Sequence, residues 1–397
     1  MATGLSGESR ARVRRDLAVR AFSCDGGDVD VATATSALRQ VLGRDDLAVE
    51  RLTRLGRPRA ASTFGVYHVD YVDGRAGACR VIVKVLRRND GHDGLPREAE
   101  LYAGQHLPNV LPPGAAEPSG FGAYGLGAPR QIGISDLPEG RVGIWLEVVQ
   151  GRPIPWPTLV FGTVAEHLAS FTRTRPGPTL AAAQTVEPRD LCTRTDLMAA
   201  NLNRLDQLAA HPLIGLAYPS SVVRDLRRIH DTRGVAMSGL VRAPRGLCHG
   251  DAQCHNLFPQ SDRCTIAVDW ANLATGPQGI DAATLFFYGL AYFDHDVHTA
   301  ETLDHAIFDG YLRGLDTSEA TTHRRVRLSY LTQLIYGIQM LEVSPVVRLI
   351  TDPAHAVVAE EFYQRDVDEI LTRRASITEF IIGLDREARG LARTLQE

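Results

Sequence analysis

Apolar residues first recur at helical spacing near the start of the chain. Val31, Ala34, Leu38 and Val41 predict a short amphipathic helix over 30–42, ended by Gly43. The period then drops to two. Residues 47–55 alternate, 64–72 is rich in β-branched and aromatic residues, and 78–86 reads as a third strand after the Asp73-Gly74 turn. Pro96, followed by Arg97, Glu98, Glu100, Leu101 and Tyr102, predicts a helix over 96–107 with proline in its first turn. A Pro/Gly-rich loop over 108–129 leads to two more short strands, 130–135 and 142–149. Three prolines in Gly151-Arg-Pro-Ile-Pro-Trp-Pro157 then predict a stiff, extended linker. Beyond it the helical period dominates, over 158–172, 190–211, 219–240, 279–292, 301–314, 322–350 and 355–394. One polar insert, 246–275, interrupts it with short apolar runs at Leu257-Phe258 and Ile266-Ala267-Val268. The outline is a poorly ordered segment over 1–28, a β-rich unit over 29–150 and a larger helical unit over 151–397.

Length agrees with that division, since 397 residues make two or three units at roughly 150 residues each. A hydrophobic content of 44% and a charged content of 23% exclude a disordered or fibrous chain. With 43 basic and 47 acidic residues the net charge is -4, which argues against a nucleic acid or an anionic membrane as the main partner. No uninterrupted apolar run approaches the roughly 18 residues of a membrane span. The start of the chain carries Arg10, Arg12, Arg14 and Arg15 with no apolar stretch behind them, so no secretory signal is expected. Six cysteines without a Cys-x-x-Cys pair read as reduced thiols, and a cytoplasmic location is expected.

Among the 43 basic residues there is one lysine, Lys84. A compact ammonium on a flexible stem fits where a flat guanidinium does not, for example beside a phosphate in a tight cleft. The other chemistry-bearing stretch is the insert. It reads Leu247-Cys-His-Gly-Asp-Ala-Gln-Cys-His-Asn-Leu-Phe258, then Ile266-Ala-Val-Asp-Trp270. Asp251, Asn256 and Asp269 are hard oxygen donors on loops bracketed by short strands, a set that suits Mg²⁺ shared with substrate phosphates. Asp251 is also placed to orient a hydroxyl and accept its proton. Taken singly, an Asp after a turn is a loop hydrogen-bonder as readily as a base.

Taken together, these residues resemble the kinase fold, in its aminoglycoside phosphotransferase and choline kinase-like branch. There the catalytic loop reads His-Gly-Asp-x-x-x-x-Asn where protein kinases have His-Arg-Asp-x-x-x-x-Asn. The order strand-Lys, helix-Glu, loop-Asp, loop-Asn, strand-Asp is similar throughout residues 45–290. The resemblance implies an α+β, protein kinase-like two-lobed fold, with a small antiparallel-sheet N-lobe and a larger, mainly helical C-lobe. It implies that Lys84 pairs with the α/β-phosphates, that Glu98 rather than Glu100 holds Lys84, that Asp251 is the catalytic base, and that Asn256 and Asp269 hold Mg²⁺. His249 braces the loop, and Asp281 supports it as a cap. Glu147 and Val149 meet the adenine through backbone groups. Ser62, Thr63 and Gly65, in a loop that lacks the Gly-x-Gly-x-x-Gly run, cap phosphates. The implied activity is transfer of the γ-phosphoryl group of ATP, or alternatively GTP, to a hydroxyl of a small molecule: an aminoglycoside-like antibiotic, a sugar, an amino alcohol or a nucleoside. The alternatives are a catalytically inactive nucleotide-binding protein of this fold, or another ATP-dependent transfer such as adenylylation.

Three patterns are set aside. Gly120-Phe-Gly-Ala-Tyr-Gly125 lies downstream of the lysine in a Pro-rich loop, where a kinase phosphate loop does not fall. The pairs Cys248-His249 and Cys254-His255 lack the tighter knuckle spacing of zinc sites. Asp294-His-Asp-Val-His298 reads as a solvated turn between helices, its acidity suited to a cationic substrate.

Overall fold

The structure, a computed structural model, describes residues 29–55, 63–74, 77–88, 95–104, 107, 125–173, 184–185 and 188–395. The segment 1–28, Ser62 and residues 120–124 of the glycine motif lie outside the described residues. Asp30 opens α1 (Val31–Leu42) by accepting from the Thr33 amide at 2.6 Å, and Gly43 closes it in the left-handed region at φ 62°. Then follow β1 (Leu47–Arg54), β2 (Thr63–Asp73), β3 (Gly77–Arg87), α2 (Arg97–Ala103), β4 (Gly125–Gly127), β5 (Gln131–Leu137) and β6 (Arg141–Glu147). Five of these strands form one antiparallel sheet in the order β1-β2-β3-β6-β5.

The two-residue period of β3 sorts its side chains between two cores. Val81, Val83 and Val85 pack with Ala34 and Leu38 of α1 and with Trp145. Leu86 and Ile82, of the opposite parity, belong to the large core shared with the helical part of the chain. Lys84 has the parity of Ile82 and Leu86, so pleating alone turns it toward the helical unit. α2 ends at Ala103, before the predicted 107, where Gly104 caps it with an amide bond to Glu100 O at 2.9 Å.

The rest of the chain comprises α3 (Thr158–Thr172), β7 (Gln184–Thr185), α4 (Pro188–Gln207), α5 (Pro212–Ala217), α6 (Ser220–Leu240), β8 (Arg245–Cys248), β9 (Leu257–Pro259), β10 (Cys264–Ala267) and β11 (Ala274–Pro277). After them come α7 (Ile280–Ala291), α8 (Ala300–Leu315), α9 (Ala320–Thr332), α10 (Met340–Thr351), α11 (Pro353–Tyr363) and α12 (Val367–Thr394). The insert is more regular than its sequence predicts. It folds into two three-stranded sheets, β4-β10-β9 and β7-β11-β8. Strands of three or four residues are too short to display a period. β4, inside the predicted 108–129 loop, runs parallel to β10 and so crosses from the first unit to the second.

The Pro-rich linker is fastened along its length. The Arg152 amide donates to Pro259 O at 3.2 Å, and buried Trp156 donates from its indole to Arg152 O at 3.1 Å. Two predicted long helices are broken. The 322–350 helix splits into α9, a π-helical stretch Gln333–Gln339 and α10. Leu334, Ile335, Tyr336, Ile338 and even Gln339 are buried there, so no exposed face sets a spacing that would reveal the change of period. The whole of Ala320–Thr351 is long and apolar enough to cross a membrane by length and composition, which the search for uninterrupted apolar runs missed. Most of that stretch is packed inside the helical core. The 355–394 helix breaks at Gln364, at φ 53°, and Asp366 starts α12 by accepting from the Glu369 amide at 2.8 Å. Among the described residues Cys79, Cys248, Cys254 and Cys264 are free thiols.

Candidate active site

The inner parity of β3 brings Lys84 beneath α2. Its Nζ lies 2.5 Å from Glu98 Oε2 and 2.7 Å from Asp269 Oδ1. The first distance assigns the pairing carboxylate to Glu98, and no bond from Glu100 to Lys84 is seen among the described residues. Burial opposes the charge on Lys84, but the carboxylates of Glu98 and Asp269 outweigh it and hold the ammonium's pKa above its usual value. The other oxygen of Glu98, Oε1, accepts from the Trp270 amide at 3.2 Å. One buried carboxylate therefore grips both the lysine and the residue after Asp269. Trp270 is itself anchored, donating from Nε1 to Ala267 O at 2.7 Å with its ring 4.7 Å from that of His249. Asp269 stands in the left-handed region at φ 63°, a conformation uncommon outside glycine and frequent where a side chain is aimed at a ligand.

The loop that follows β8 packs beside this group through the His249 ring. Gly250 is required there on two counts. Its φ is +81°, and a Cβ would stand 2.2 Å from Asn272 O. Buried Asp281, in the first turn of α7, accepts from the His249 amide at 2.7 Å and the Gly250 amide at 2.9 Å. The expected supporting role thus takes the form of a bridge to the loop, with no capping bond to its own helix. Burial raises the Asp281 carboxyl to about 6, even though the two amides pull it down. His249 Nε2 lies 3.0 Å from Val268 O, and its Nδ1 accepts from the Asp251 amide at 3.3 Å. A carbonyl only accepts and an amide only donates, so the ring is neutral with its proton on Nε2. Complete burial agrees, lowering its pKa to about 4.

Asp251 is held by amides instead of cations. Gln253 Nε2 lies 3.1 Å from both of its oxygens, and Asn256 Nδ2 lies 3.0 Å from Oδ2 and 3.0 Å from the Asp251 carbonyl. Burial raises the Asp251 pKa, and these bonds partly offset it. Gln253 was not singled out in the sequence. Its place two residues after the Asp was the available signal, since a side chain there reaches back across a tight turn. The Val268 amide donates to Asn256 O at 2.9 Å, which sets Asn256 beside the segment that ends in Asp269.

The remaining sequence candidates are less closely grouped. Thr63 and Gly65 begin β2 at a register shift, opposite Leu86 and Val85, one step from the Val66↔Lys84 pair. Glu147 ends β6, where its amide donates to Arg130 O at 3.1 Å and its carboxylate accepts from the Arg130 amide at 2.9 Å. Val149 follows in the half-buried start of the linker. The two Cys-His pairs have separate surroundings. Cys248 faces Gly246 O and Pro277 O, while His255 Nε2 lies 3.5 Å from Asp294 Oδ2. The 294–298 turn is therefore not simply solvated as predicted. Asp294 is buried, and burial lifts its carboxyl to about 7. Among the described residues no group of three His, Cys, Asp or Glu side chains is placed to hold a metal ion.

No family model and no curated protein matches the chain by sequence. Solved structures do match it. An aminoglycoside phosphotransferase from Alicyclobacillus acidocaldarius is similar at 13% identity and a TM-score of 0.51, over 93% of this chain and 98% of that one. A choline kinase from Cryptosporidium parvum is similar at 14% identity and a TM-score of 0.50, over 89% of this chain and 98% of that one. The small antiparallel sheet, the mostly helical remainder and these likenesses together identify the chain as having the two-lobed kinase-like fold seen in aminoglycoside phosphotransferase and choline kinase structures.

Proposed function

We propose that this protein is an ATP- and Mg²⁺-dependent phosphotransferase that moves the γ-phosphoryl group to a hydroxyl of a small molecule. The observation that carries the reading is the pair of groups itself: Lys84 between Glu98 and Asp269, and Asp251 held by Gln253 and Asn256. The first is a fixed positive charge suited to nucleotide phosphates. The second is a partly desolvated carboxylate suited to a hydroxyl.

In the proposed reaction Asp251 orients the acceptor hydroxyl and takes its proton as the oxygen bonds to the γ-phosphorus, and the bond from that phosphorus to the ADP oxygen breaks. Lys84 binds the α/β-phosphates, and Glu98 keeps its ammonium aimed. Neutral His249 and ionised Asp281 hold the loop that carries Asp251. Thr63 and Gly65, with Ser62, are proposed to cap the phosphates through backbone and hydroxyl groups. The carbonyl of Glu147, whose amide is already engaged, and the amide of Val149 are proposed to receive the adenine. Asn256 and Asp269 fit Mg²⁺, because both present hard oxygens and the amide nitrogen of Asn256 is turned to Asp251. The metal supplies neutralisation of phosphate charge when bound. ATP is preferred over GTP only by the resemblance, and a reducing, ATP-containing compartment is proposed.

Calorimetric titration of ATP with and without Mg²⁺ tests the reading. Binding should require the metal, weaken at least tenfold in Asp269→Ala and persist in Asp251→Ala, which should in turn abolish ADP release with hydroxylated acceptors. Absence of ATP and GTP binding under every metal condition would remove the proposal.

A further inference from the structure

Two patterns set aside in the sequence meet in the fold. His255, in the one-turn helix Cys254–Asn256 of the catalytic loop, pairs with Asp294 from the turn after α7 at 3.5 Å. Around that pair is a cluster of rings. His255 lies 5.3 Å from Tyr292 and 6.2 Å from Phe362, and Tyr292 lies 5.5 Å from Phe362 and 5.0 Å from Tyr288. Two members face outward, the His255 side chain at 44% exposure and Phe362 at 39%. A single exposed ring carries no meaning, but these are contiguous and come from three separate elements: the loop after β8, the end of α7 and the end of α11. The cluster also borders the reacting carboxylate. His255 is four residues from Asp251 in a loop that Asn256 ties back to Asp251.

Two carboxylates near these rings make bonds of their own. Glu342 lies 3.2 Å from Arg374 and accepts from Tyr288 Oη at 3.2 Å, and Asp296 accepts from the His298 amide at 3.0 Å. Arg365 and Arg373 cover the nearby Phe293 ring at 5.5 and 5.0 Å. A ring would find a wall. Resting on the phosphotransferase reading, we propose that the acceptor lies against His255, Tyr292 and Phe362, and so is a hydroxylated molecule carrying a flat or apolar ring.

The test uses probes in matched pairs, with and without a flat ring: phenyl and methyl β-glucoside, and N-benzylethanolamine and ethanolamine. Each is titrated into the full chain loaded with Mg²⁺ and AMP-PNP, so that binding is read without turnover. The ring-bearing member of at least one pair should bind about tenfold tighter than its partner, the size of one or two ring contacts. Phe362→Tyr should keep that advantage and Phe362→Ala should erase it, both with unchanged AMP-PNP affinity. Equal binding within both pairs, undetectable binding included, overturns the ring wall. Failure of AMP-PNP itself to bind overturns the phosphotransferase reading instead, so the two failures are distinct.

Discussion

The two charged groups of the candidate site solve the burial of charge in opposite ways. At Lys84 a buried ammonium is matched by two carboxylates within 2.7 Å, and ion pairing offsets desolvation. At Asp251 no cation lies within hydrogen-bonding distance among the described residues, and two neutral amides hold the carboxylate. The difference matches two tasks. A group that binds phosphate must stay charged, so it is surrounded by opposite charge. A group that takes a proton must keep its affinity for one, so it is steadied by donors that cost it little basicity.

The lysine side breaks first. Lys84→Arg keeps the charge but replaces a point donor with a planar fork between two fixed carboxylates. Turnover should fall by roughly 10²-fold or more, with weaker ATP binding, since a misplaced cation stabilises neither the bound nor the reacting phosphates. Full activity in steady-state assays would show that the pocket reads charge alone. On the other side, Gln253→Leu removes two bonds to Asp251 without changing any charge. A hydrogen bond to a charged group contributes about 1.5–3 kcal/mol, so kcat should fall roughly ten- to a hundredfold while the ATP affinity stays unchanged. An equal loss of both would mean that Gln253 shapes the whole cleft. Gln253→Asn, which shortens the reach but keeps the amide, should recover part of the rate.

The loop beneath Asp251 sharpens the contrast through pH. His249 titrates near 4 in the fold against 6.5 in its ordinary state, so the unfolded chain binds the proton first as pH falls. Its contribution to stability is present above 6.5 and is lost as pH drops through 4. Wild type should therefore lose up to about 3 kcal/mol relative to His249→Gln over that window, read from paired denaturant titrations. Pairing against the variant matters because Asp281, raised to about 6, acts in the opposite sense, giving stability at low pH that is lost as pH rises. A flat difference would mean that the ring is solvated.

The legible parts of the site were those whose chemistry depends on spacing. Lys84 stood out by its uniqueness and by its place before the helix that carries Glu98. Asp251, Asn256 and Asp269 stood out by their intervals. Gln253 was passed over because an amide in a loop carries no pattern until its partner is located. The His255–Asp294 pair was split between two discarded motifs, 39 residues apart, and only the packing of α7 against the catalytic loop joins them. In the fold, alternation marked the five-stranded sheet within a few residues. The short strands at 245–277 showed only as brief apolar runs, because they are shorter than a period, and the π-helical stretch at 333–339 left no mark, because six of its seven residues are buried.

The sequence by itself determined the order of elements, the lysine, the acidic residues and the glycine that a crowded turn requires. These follow from local rules: side-chain periodicity, turn chemistry and fixed intervals. The tertiary structure alone decided that Asp269 joins Glu98 at Lys84, which amides steady Asp251, which proton His249 carries and which rings gather around His255. Each of those depends on burial and on neighbours distant in the chain, and desolvation exists only once the chain has folded around these groups.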